Sequence, residues 1–105
     1  MKTVRLLLLT PLVATSLPAA TSFTSQSNGW DWLAASFADR VHCCDEKAKL
    51  LQGIAPGITS DYIFQGLVAY YGSPDNPNKA NLPSKLVEVV AFIVTYYVKD
   101  KETPQ

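Results

Sequence analysis

His42-Cys43-Cys44-Asp45-Glu46 is the stretch where side chains with chemistry crowd together. Histidine, thiol and carboxylate all ligate metals, but closed zinc sites space their ligands two to four residues apart so that the side chains converge. Only His42 and Glu46 stand at i,i+4, and the chain has no other histidine and no other cysteine. No metal and no cofactor is expected. The two thiols have three available states: buried or free, an intermolecular disulfide from Cys43, or a bridge to each other. A vicinal bridge closes a strained ring and no useful loop, and adjacent helical side chains point about 100° apart. Cys44 falls on an apolar stripe and reads as a small buried hydrophobe. Cys43 lies on its flank, where it is the candidate for a link to a second copy. Buried or free thiols are the favoured state.

Other catalytic patterns are missing. The chain has no nucleophile elbow, no Gly-rich phosphate loop and no His-Glu-x-x-His pair. Asp45-Glu46 reads as a solvated face, with Asp45 and Lys49 at i,i+4 spacing. The reading is therefore non-enzymatic. The aromatic residues are more informative, because tryptophan and tyrosine dominate binding hot spots. Trp32, Tyr71, Phe92 and Tyr96 are the candidate partner-binding residues. For Trp32, Tyr71 and Tyr96 the alternative is packing between helices.

Three helices must position these groups, and an all-α fold is expected. Trp30, Ala34, Phe37, Val41, Cys44, Ala48 and Leu51 recur at alternating spacings of four and three, which predicts one long helix with a continuous apolar stripe. Asn28 or Ser27 suits its cap and Gly53 its stop. Residues 21–27 read as a flexible lead-in. A second helix begins at Thr59 or Ser60 and carries Ile63, Gly66, Leu67, Tyr70 and Tyr71 on one stripe, with Gly72 as terminator. A glycine inside a helix costs about 1 kcal/mol relative to alanine, which close approach of another helix would explain. Residues 73–81 form a loop. Pro83 suits the first turn of a third helix, whose inner stripe is Leu86, Val89, Val90, Ile93, Val94 and Tyr97. The rival for residues 87–98 is a strand. The length of the run and its lack of alternation favour helix. Phe92 and Tyr96 lie opposite the inner stripe, so something must cover them. A second copy is the expected cover, giving a homodimer.

The opening residues bear on location. Lys2 and Arg5 precede the apolar run Leu6 to Leu9, and small residues follow through Ser22. This order is that of an export signal over residues 1–22, leaving 23–105 as a single small helical domain that is periplasmic or secreted. The apolar run is shorter than the roughly 20 residues a membrane span needs, so no stable membrane insertion is expected after cleavage. The 105-residue chain carries nine basic and nine acidic residues. Loss of Lys2 and Arg5 leaves seven basic against nine acidic, a formal −2. That balance argues against nucleic acid as a partner, since phosphate binding needs a concentrated basic footprint.

Ile63-Phe64-Gln65-Gly66-Leu67, then Pro83, Leu86-Val87-Glu88-Val89-Val90 and Lys99-Asp100-Lys101-Glu102-Thr103-Pro104 form a layout, with Asn28-Gly29-Trp30-Asp31-Trp32-Leu33-Ala34-Ala35 ahead of it. This layout resembles the small periplasmic immunity proteins that neutralise peptidoglycan amidases delivered by type VI secretion. Ser36 and Ser60 stand where that family commonly has cysteines that brace its helices. The resemblance implies an exported, helical, non-enzymatic inhibitor whose partner is a toxin or cell-wall enzyme. The alternative class is a self-associating structural or stress-related secreted protein. N-terminal sequencing of the exported form should find cleavage between residues 19 and 25. An exported form that begins at Met1 contradicts the leader.

Overall fold

The computed structural model describes residues 23–102. The leader read over residues 1–22 lies outside them, as do residues 103–105. The described chain is a mostly helical bundle of four helices and one two-stranded hairpin.

Asn28 starts the first helix, α1 (Gly29–Ala34). Its side-chain oxygen accepts from the amides of Trp30 at 3.0 Å and Asp31 at 3.3 Å, while the Asp31 carboxylate accepts from the Asn28 amide at 2.9 Å. This reciprocal cap satisfies donors that helix starts leave open. The helix then stops. Ala35 is extended, and the Ser36 hydroxyl accepts from the Asp39 amide to cap a new helix, α2 (Phe37–Leu50).

The single long helix expected over 30–51 is therefore two. The break at Ala35-Ser36 resets the phase of the apolar stripe. Trp30 is 56% exposed and Phe37 is 66% exposed, whereas Trp32, off the expected stripe, is fully buried. Serine competes for backbone donors and so favours a cap over a helix interior. From Cys44 onward the expected stripe does face inward, through Cys44 and Ala48.

The expected stop at Gly53 is replaced by a longer turn. Gln52 holds it together. Its amide nitrogen donates to the carbonyls of Ala48 and Ile58, both at 2.8 Å, and its oxygen accepts from the Gly57 amide at 2.9 Å. Gly57, with φ of 86°, makes the left-handed bend. Helix α3 (Ser60–Tyr71) follows, capped by Thr59 and ended by Gly72 with φ of 84°. The loop expected over 73–81 contains a small antiparallel hairpin, β1 (Gly72–Ser73) with β2 (Asn76–Pro77), in the register Gly72↔Pro77 and Ser73↔Asn76. A short 3-10 turn, Lys79–Asn81, leads on.

Helix α4 (Leu86–Glu102) resolves the choice between helix and strand in favour of helix. All six residues of its expected inner stripe are buried. Each such side chain contributes about 1.5–3 kcal/mol when fully removed from water. Pro83 sits in the turn before α4 rather than in its first turn. Three contacts set α4 antiparallel to α3. Tyr62 packs edge-on against Tyr97, Ile93 lies against Gly66, and the Tyr71 hydroxyl donates to the Ser84 carbonyl at 2.7 Å.

The segment ahead of α1 is not a loose lead-in. Phe23 packs on Trp32, Ser27 is buried, and the Ser27 carbonyl accepts from the Leu86 amide at 2.8 Å. One residue into α1, Gly29 donates to the Leu82 carbonyl at 2.9 Å. A β-carbon added at Gly29 would lie 2.6 Å from the Tyr71 ring and 2.8 Å from the Leu82 α-carbon. Gly29→Ala should therefore lower stability by about 1–3 kcal/mol, the usual cost of overpacking. Urea unfolding checks this against Gly53→Ala, where a β-carbon meets open space and stability should hold.

Candidate binding groove between α3 and α4

Gly66 creates the site. A β-carbon there would lie 2.7 Å from the Ile93 side chain, so α4 is seated directly on the α3 backbone. Two aromatic side chains on the same face of α3 flank this contact. Tyr62 and Tyr70 are those residues, at i−4 and i+4, and both are half-buried. Phe92 and Tyr96 rise from α4, one turn apart. Between them runs a groove of about 550 Å³, floored by Gly66, Val89 and Ile93. Asp61 and Gln65 form part of its α3 rim.

Of the four aromatic residues singled out from the sequence, two belong here. Phe92 is 61% exposed and Tyr96 is 67% exposed, and both line the groove. The other two are corrected. Trp32 is enclosed by Phe23 at 6.0 Å and Phe64 at 5.5 Å between ring centroids, with the Arg40 guanidinium 5.9 Å over its ring. Among the described residues its indole nitrogen has no hydrogen-bond partner. Tyr71 is fully buried, its ring beneath Gly29 and its hydroxyl spent on Ser84. Neither can serve as a surface anchor, because each fills a core position that the α1–α2 break and the α3–α4 turn create.

Sequence reasoning missed the α3 side of the groove. It read Tyr70 as part of the core stripe. Tyr70 meets Ser84 through its hydroxyl, at 2.7 Å, and presents the rest of its ring to the groove. The available signal was a glycine with tyrosines four residues before and after it. A second, smaller recess of about 330 Å³ lies on the other flank of α4, lined by Lys47, Leu50, Ile54, Val87 and Ala91 among others.

The cysteines take no part in either recess. Both are buried free thiols, the state favoured from the sequence, with Cys43 8% exposed and Cys44 fully buried. The core face of α2 spans Cys43 as well as Cys44 and Ala48. Among the described residues no group of three or more ligating side chains converges on a metal position, and no helix is long and apolar enough to cross a membrane. No protein-family model, curated protein or solved structure matches the chain.

Burial changes how the thiols titrate. It pushes Cys44 up from 9.0 to about 12, with the neighbouring Cys43 and Asp45 adding to the effect. Cys43 is raised by burial and partly held back by Lys47. Tyr71 is raised by burial, then by Tyr70 and Glu88. Between pH 9 and about 12 the unfolded chain has released the Cys44 proton while the folded chain retains it. The unfolded state then binds fewer protons, so stability falls as pH rises through this window and is unaffected by the group below it. Thermal melts from pH 8 to pH 10.5 should show this loss, and Cys44→Ala should make it shallower. An equal slope in both proteins would mean that Cys44 does not titrate on unfolding.

Proposed function

We propose that this chain is an exported, non-enzymatic protein-binding domain, an inhibitor or immunity factor against a toxin or cell-wall enzyme, and that the α3–α4 groove is its binding face. The single observation behind this reading is the exposure of Phe92 and Tyr96 over an apolar groove. Large exposed rings beside a recess are the composition of a hot spot. The amidase-inhibitor class rests on the sequence resemblance over Ser60 to Pro104, and the export on the leader pattern before residue 23.

A second reading has its own observation. Leu50 and Ile54 are exposed beside Val87 on the opposite flank of α4, so the apolar band is wider than one groove. That breadth suits a self-associating protein, with a homodimer formed across α4. The two readings separate experimentally. Photo-crosslinkers installed at positions 92 and 96, but not at 49, should join the exported protein to one cell-wall enzyme or toxin. The purified pair should show stoichiometric inhibition, and Phe92→Asp should weaken it by at least tenfold. Adducts of only twice the chain mass, with a sedimenting dimer that Phe92→Asp dissociates, would instead establish self-association.

A further inference from the structure

Resting on the reading of the α3–α4 groove as the binding face, we infer that the groove takes an arginine side chain from the partner protein. The charge of the lining motivates this. Among the described residues that line the groove, Asp61 is the only charged one, and no lysine or arginine is present. The recess on the other flank of α4 differs: it includes Lys47 and has no aromatic lining residue. The groove has four rings, Tyr62, Tyr70, Phe92 and Tyr96. Aromatic faces attract cations, arginine most often. A carboxylate at the rim adds a charge-assisted hydrogen bond that a planar guanidinium can make in bidentate form.

The fold already uses this pairing elsewhere. Arg40 lies over the Trp32 ring at 5.9 Å and Lys101 over the Tyr97 ring at 5.4 Å. In the groove the aromatic wall is present, and no lysine or arginine is among its described lining residues.

The floor favours a side chain over a free ammonium ion. Tyr62 and Tyr70 stand two helical turns apart, about 12 Å along α3. A compact cation would leave Gly66, Val89 and Ile93 uncovered. An arginine brings an apolar stem for that floor and a charged head for the rings and Asp61. The α3 start places Asp61 beside Tyr62, and Tyr96 faces this end from α4, so the guanidinium sits here and the stem runs toward Phe92.

The test uses the isotope-labelled full chain and two peptides, acetyl-Ala-Leu-Arg-Leu-Ala-amide and its citrulline isostere, followed by NMR titration. The arginine peptide should move the resonances of Tyr62, Gly66, Phe92 and Tyr96. It should bind at least about fivefold more tightly than the uncharged citrulline peptide. Asp61→Asn should narrow the gap between the two peptides, the rings still favouring the cation, while helicity by circular dichroism stays unchanged. Gln65→Lys, which adds a like charge at the rim, should weaken the arginine peptide alone. Equal binding of both peptides in the groove overturns the arginine assignment and leaves the groove as a binding face. Shifts confined to other surfaces, or none at all, also overturn the assignment. The crosslinks from positions 92 and 96 decide separately whether the groove meets a partner protein.

Discussion

The seating of α4 on α3 at Gly66 is the contact on which the rest of the structure depends. Ile93 occupies the volume that any side chain at position 66 would need. Close packing at that point lets Leu67 and Ile63 interlock with Val89, Val90 and Tyr97 in one core, where dispersion contacts are lost if the helices separate by even a fraction of an ångström. The groove lies beside this tight contact, walled by Tyr62, Tyr70, Phe92 and Tyr96.

Both ends of α4 are pinned as well. At the start, the Leu86 amide donates to Ser27, and the Leu82 carbonyl holds Gly29 against the Tyr71 ring. Toward its C-terminal end, the Tyr97 hydroxyl donates to the Pro56 carbonyl at 3.0 Å, in a turn that Gln52 braces. These contacts join segments far apart in the chain, so α4 cannot tilt to bury its outer face. Phe92 and Tyr96 are left in water because the inner stripe already fills the available core.

Several features of the helices are local in origin. The caps at Asn28, Thr59 and Gly72 are hydrogen bonds or backbone bends within a few residues. Residue type narrowed the first to Asn28 or Ser27 and the start of α3 to Thr59 or Ser60, and marked Gly72 as the stop. The α4 inner stripe was equally plain, since a spacing of three and four residues selects one helical face whatever it meets. The glycine at 66 was legible as a mark of close approach, although not which residue would approach it. Reading α1 and α2 as one helix failed for a related reason. The apolar spacing continues smoothly through Ala35-Ser36, and periodicity does not register a serine that prefers to cap.

By itself, then, the sequence determined that the chain is helical, where α3 and α4 lie, and which side of α4 faces the core. Those outcomes follow from local hydrogen bonding and from the period of the apolar residues. Only the tertiary structure decided the fate of each aromatic ring. Trp32 and Tyr71 are buried by Phe23, Phe64, Gly29 and Leu82, while Phe92 and Tyr96 remain in solvent. Tyr70, read as a core residue, became a wall of a groove together with Tyr62. A ring's exposure is set by partners that come from other elements, and their positions depend on how closely the helices approach, a distance that no spacing along one helix encodes.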